Sequence, residues 1–239
     1  MEMLTPRIMT DQKTLMRDMM AHAVHFGHKS EKWNPKMAQY IYTKKNGVHI
    51  FDLNKTFEGL MSATEFLQNA ARQGKTILFV STKQQASNLI QQEAEKCKMP
   101  YVKSRWIPGL LTNFKTLRSR VKYLQDLIEK EESGEFEKYT KKEIQGFKKE
   151  IGKLKEALGG VVTLEKKPDV VFVLDVNRDR IAVKEAKIIG ATVVAVVDSN
   201  SDPEDVDYII PANDDAIKSI SFLFSKISDS ILEGQKSRT

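Results

Sequence analysis

The chain has one cysteine, Cys97, in 239 residues. An internal disulfide is therefore excluded, and the composition suits a reducing compartment. Long apolar runs are missing as well. The longest, Ile188 to Val197, is too short to span a bilayer. The opening stretch, MEMLTPRIMTDQK, lacks the basic start and apolar centre of a secretory signal. These absences lead to a cytosolic or organelle-matrix protein as the expectation. No GxGxxG follows any apolar run, so a dinucleotide site has no support. Gly74-Lys75-Thr76 matches only the end of a phosphate loop. Asn69 stands where the upstream glycine belongs, and the triplet precedes a strand instead of joining strand to helix.

Carboxylates are absent from one long stretch. Lys96 to Gln125 has no Asp or Glu, yet it holds eight basic residues: Lys96, Lys98, Lys103, Arg105, Lys115, Arg118, Arg120 and Lys122. The formal net charge of +6 is thus unevenly spread. Residues 188–217 show the reverse, with Asp198, Asp202, Glu204, Asp205, Asp207, Asp214 and Asp215 and no Lys or Arg. A positive surface with interleaved aromatics suits a polyanion, because phosphates need cations and bases stack on rings. Charge runs are also commonly just solvated faces, so charge alone does not decide the matter.

What is present reads as an alternation. Residues 10–26 carry Leu15, Met16, Met19, Met20 and Ala23 at helical spacing, with Gly27 as the stop. His28 to Lys36 reads as a loop. Tyr40 to Tyr42 and Val48 to Phe51 form a hairpin around Asn46-Gly47, which tolerate positive φ. A helix follows from about Asn54 to Arg72. Thr76 to Val80 is a continuously apolar strand, and Ser81-Thr82 caps a helix over Lys83 to Lys96. Met99 to Lys103 is the next strand.

After Pro108-Gly109 the period changes. Leu117, Val121, Leu124 and Ile128 make one seam; Ile144, Phe147, Ile151, Leu154 and Leu158 make another. The two predict an antiparallel helical hairpin with coiled-coil packing, inserted into the alternation. Strands at Val170 to Leu174, Val193 to Val197 and Tyr208 to Ile210 then alternate with helices at Arg178 to Ile189 and Asp214 to Leu232, ahead of a frayed tail from Glu233. The sum is an α/β fold with a doubly wound parallel five-stranded sheet. Residues 1–104 and 159–239 form the α/β domain, and residues 105–158 form the inserted hairpin.

In such sheets ligands sit beyond the strand C-termini. Ser81, Thr82, Lys83, Asp175 and Asp198 lie there. Asp175 and Asp198 are the alternative set for a cation such as Mg²⁺, although Asp and Ser after strands are also ordinary turn residues. His22, His25 and His28 recur every third residue, but Gly27 interrupts the helix that would align them for zinc. Trp33 and Trp106 read equally as packed rings or as stacking surfaces.

Three long stretches together resemble bacterial-type small-subunit ribosomal protein S2: HAVHFGHKSEKWNPKMAQYIYTKKNGVHIFDLNKT, RWIPGLLTNFKT, and PDVVFVLDVNRDRIAVKEAKIIGATVVAVVDSNSDPEDVDYIIPANDDAIKSI. The likeness spans about His22 to Phe222. Pro108 and Ser81 each stand where the family usually has glycine. The resemblance implies a flavodoxin-like three-layer α/β/α domain with a protruding helical hairpin. It implies no enzymatic activity and no cofactor. As partners it implies small-subunit rRNA, at the junction of head and body, and neighbouring ribosomal proteins, including the large mRNA-binding one. The expected rRNA contacts are Lys29, Lys32, Trp33, Asn34, Lys36, Lys44 and Lys45 in the first stretch. At the hairpin root they are Arg105, Trp106, Asn113, Lys115, Arg118, Arg120 and Lys122.

Overall fold

The computed structural model describes residues 5–238. The start of the opening stretch read above for a signal, and the last residue of the tail, lie outside them. Five strands make the main sheet: β4 (Ile77–Val80), β5 (Tyr101–Val102), β6 (Val170–Val173), β7 (Thr192–Val197) and β8 (Tyr208–Pro211). Their order across the sheet is β5-β4-β6-β7-β8, and every neighbour pair is parallel. Renumbered by sequence this is 2-1-3-4-5, the order of flavodoxin.

The strand sequences explain the layering. All residues of β4 and β6 are buried, so side chains on both faces are apolar. Ile77, Phe79, Phe172, Val194 and Val196 face a layer of α2 (Leu53–Arg72), α3 (Ser87–Lys96) and α7 (Ile217–Lys236). The alternate residues, Leu78, Val80, Val171, Val173, Val193 and Ala195, face α6 (Arg180–Ile188) and the root of the hairpin.

A second sheet has three antiparallel strands in the order β1 (Phe26–Lys29), β3 (Val48–Phe51), β2 (Ile41–Lys45). The β2–β3 turn uses Asn46 and Gly47 at φ 51° and 77°, as expected. Strand β1 corrects the sequence reading. The first helix, α1 (Thr5–Ala21), stops before Gly27, and Ala23 turns the chain at φ 59°. Gly27 lies inside β1, where an added Cβ would come within 2.8 Å of Ser199 Oγ. The glycine marks a close approach, not a helix end.

Two further expectations change. Ser81 and Thr82 cap nothing. Thr82 N donates to Asp179 Oδ2, and α3 begins only at Ser87 after a short 3₁₀ turn. The tail is not frayed at Glu233. Helix α7 continues to Lys236, Gly234 packs where a Cβ would lie 2.2 Å from Gln68 O, and Gln235 Nε2 donates to Cys97 O at 2.8 Å.

The hairpin consists of α4 (Phe114–Glu132) and α5 (Lys141–Leu158). Thr140 and Glu143 start α5 with reciprocal side-chain caps. From α4, Leu117, Val121, Leu124 and Leu127 are buried, with Ile128 only half-buried. From α5, Ile151 and Leu158 are buried, while Ile144, Phe147 and Leu154 are half-buried. At the far end Phe136, 6% exposed, stacks on Phe147 with centroids 4.9 Å apart. Phe136 is thus the plug of the tip and Phe147 its partner. We expect Phe136→Ala to cost about 3 kcal/mol and Phe147→Ala about half of that, because only the first empties a buried site. Urea titrations of both variants measure the ranking; a larger loss at Phe147 would contradict this packing.

Candidate nucleic-acid interface and the strand-end ion network

The strand C-termini meet β1, and the meeting point is filled by charge. Lys83 follows β4 and is 5% exposed. Its Nζ lies 3.0 Å from Asp175 Oδ2, 2.7 Å from Asp214 Oδ1 and 2.7 Å from Asp215 Oδ1. It also donates to Asp214 O at 2.9 Å. Burial opposes the charge on Lys83, but these carboxylates outweigh it and hold its pKa above the ordinary lysine range. Asp214 is pushed upward, first by burial and then by Asp198 and Asp175.

His28 closes the other side. Its Nδ1 is 3.0 Å from Asp198 Oδ1 and its Nε2 is 3.1 Å from Asp215 Oδ2. The Asp198 hydrogen bond raises the His28 pKa to about 9 against the opposing effect of burial, so the ring is charged at neutral pH. Asp198 also accepts the backbone N–H groups of Ser199, His28 and Asp214. The three expected histidines therefore diverge. His22 stacks on Phe222 and bonds Asp18 O, His25 lies against Phe26, and only His28 reaches the cluster. Among the described residues, ligand atoms of His28, Asp198 and Asp214 lie within 4.8 Å of one another, a spacing that would suit a metal ion only if His28 gave up its proton. Asp175 belongs instead to Lys83 and to the turn before α6, where its Oδ1 accepts Arg178 N at 2.9 Å.

The basic residues divide into free and occupied. In the first patch Lys29, Lys32, Lys44 and Lys45 are exposed. Trp33 is 39% exposed and meets His49 edge-on at 5.1 Å. Asn34 is committed to the backbone: its N–H donates to Ser199 O and its side chain accepts from Lys36 N. Lys36 is bound to Asp202 at 2.9 Å and to Glu204, which neutralises it. At the hairpin root Arg105, Asn113, Lys115, Arg120 and Lys122 are exposed. Among the described residues, no ion pair engages Arg105, Lys115, Arg120 or Lys122. Arg118 is half-buried, and its guanidinium donates to Val162 O and Leu164 O at 3.3 and 3.0 Å. Trp106 is 6% exposed, so it is a packed ring and not a stacking platform.

Sequence reasoning missed Glu185. It sits in α6 in a Lys-Glu-Ala-Lys run that looks like a solvated face, yet it is buried beneath the turn of residues 105–113. The carboxylate accepts from Trp106 Nε1 at 3.0 Å, Gly109 N at 2.7 Å, Leu111 N at 2.9 Å, and from Thr112 N and Oγ1 at 3.1 Å each. Burial works against its charge, but these donors hold its pKa below the usual glutamate range.

The strand-end cleft is filled by its own ion pairs. Together with the helical hairpin, the parallel sheet defines an α/β protein of the flavodoxin strand order. Comparison with known proteins gives the family. Residues 19–234 match the family described as Ribosomal protein S2. The small ribosomal subunit protein uS2 of Coprothermobacter proteolyticus is 46% identical over 223 residues, covering 93% of this chain and 83% of that protein. The uS2c protein of Cyanophora paradoxa is 46% identical over 222 residues, covering 93% and 95%. The uS2 of Dictyoglomus thermophilum is 47% identical over 224 residues, covering 94% and 91%. The chain belongs to the ribosomal protein S2 family, whose members are structural components of the ribosome and not enzymes.

Proposed function

We propose that this chain is a structural constituent of the small ribosomal subunit that binds small-subunit rRNA with the hairpin root and the β2–β3 hairpin. The observation that carries this is the set of exposed cations at the root, Arg105, Lys115, Arg120 and Lys122, unpaired among the described residues and in a window without carboxylates. Phosphate contacts require such free cations. All the acidic residues of 198–215 except Asp205 are engaged with Lys36, Lys83, His28 or Lys187, so they do not compensate this surface. Placement near the junction of head and body, and help in anchoring the large mRNA-binding protein, follow from the family resemblance. So does a ribosomal, cytoplasmic location. No helix among the described residues is long and apolar enough to cross a membrane.

We read the architecture in the same terms. The sheet is doubly wound, with residues 1–104 and 159–239 as its domain, and residues 105–158 are an inserted coiled-coil hairpin. The three-and-four spacing of Leu117, Val121, Leu124 and of Ile144, Phe147, Ile151 supports the coiled coil. Sedimentation of a cell lysate tests the function. The protein should run with small ribosomal subunits and leave them on a high-salt wash. A protein found only at the top of the gradient would overturn the reading.

A further inference from the structure

Residues 103–113 have neither helix nor strand, and α4 starts directly after them. The segment passes through Pro108 and through Gly109 at φ 88°. Such a turn has few internal hydrogen bonds to fix its shape; what fixes it here is Glu185. Three backbone N–H groups, one indole and one hydroxyl converge on its carboxylate from the turn. No cation pairs with it among the described residues, so these donors alone offset the cost of burying its charge. An apolar side chain of the same size would leave three turn N–H groups unmet.

We infer that Glu185 is the positioning residue for the rRNA-binding hairpin: it sets the direction in which α4, with its basic face, leaves the sheet. The carboxylate itself would repel RNA, and it is buried away from it. Its action runs through the turn. Other ties hold the base of the hairpin without meeting the N–H groups of Gly109, Leu111 and Thr112. Arg118 binds the carbonyls of Val162 and Leu164, Ser104 Oγ donates to Glu156 O at 3.1 Å, and Leu110 and Leu111 are buried. Loss of Glu185 therefore frees the angle of the hairpin while leaving it attached. The inference rests on the rRNA-binding reading for its functional consequence, though not for the geometry.

Spin labels test it in the full chain. Asn88→Cys on α3 and Ser133→Cys at the hairpin tip, in a Cys97→Ala background, report one distance across the joint. Both positions are exposed. In Glu185→Gln, which keeps the shape but turns one acceptor into a donor facing N–H groups, the distance distribution should broaden while the far-ultraviolet circular dichroism stays that of a folded chain. If the productive direction is then populated about a tenth of the time, rRNA affinity falls about tenfold. Trp106→Phe removes one donor without touching the carboxylate and should broaden the distribution less; it decides the matter if Glu185→Gln does not fold. A distribution as narrow as that of the parent in a folded variant overturns the inference. So does a broadened one with unchanged rRNA affinity. If the parent itself binds no rRNA, the functional reading fails while the distance measurement still decides the role of Glu185.

Discussion

Replacing Lys83 by methionine should destabilise the protein by about 3 to 5 kcal/mol at neutral pH, the range for removing one partner from a buried ion pair. Methionine keeps an unbranched stem, one atom shorter, and carries no charge. What it leaves behind is the cause of the loss. Asp214 is 1% exposed and Asp175 is 8% exposed, so neither recovers its lost counter-charge from water. Asp215, half exposed, contributes little. In the parent, the pKa of Lys83 is raised, so its stabilisation is complete below its ordinary value of 10.5 and fades only as pH rises through the higher folded value. In the variant the dependence moves to Asp214. Its folded pKa is already raised and rises further without Lys83, so the folded state binds a proton that the unfolded state does not. Stability of the variant should therefore recover as pH falls from 8 towards 5.5. Urea titrations of parent and variant at both values, in metal-free buffer, measure this. A gap below about 1 kcal/mol at pH 8 would mean that the cluster is wetter than its geometry implies.

The sheet and the hairpin were legible because their apolar spacing is set by burial on known faces. Ile77 to Val80 and Val170 to Val173 are apolar at every position because both faces are covered. The reading failed where a residue answers to something distant in sequence. Gly27 looks like a helix stop, but it is a glycine because Ser199 crosses it. Strand β1 has four residues, FGHK, with no strand pattern, and exists only through pairing with β3. Lys36 looked like a phosphate contact until the fold set Asp202 and Glu204 beside it. Arg118 shares a helix face with Lys115 and Lys122 by spacing, yet the segment after α5 brings it two carbonyls. Charge in a sequence shows where cations are; only the fold shows which ones are already engaged.

That distinction selects the variant with the largest expected effect on binding. Lys115 and Lys122 lie seven residues apart on α4, hence on one side of it, and both are exposed and unpaired among the described residues. Leu117, Val121 and Leu124 occupy the packed side. Arg118 is left intact, since reversing it would strip Val162 and Leu164 of a donor and loosen the root. In Lys115→Glu with Lys122→Glu, two phosphate contacts are lost. The log–log salt slope of binding to small-subunit rRNA should then flatten by about 1.4 to 1.8, and affinity at 0.15 M salt should fall on the order of twentyfold. The control needs acidic residues with no structural duty. Asp207 does not qualify, because it pairs with Lys187 at 2.6 Å and accepts Val193 N at 2.7 Å. Asp205 and Glu65 are exposed and in no ion pair among the described residues, so Asp205→Lys with Glu65→Lys reverses as much charge elsewhere. Filter-binding titrations across a salt series, with circular dichroism to show that every variant is folded, give both quantities. The control should bind at least as tightly as the parent. Equal slopes for the hairpin variant and the parent would place the RNA on another face of the molecule.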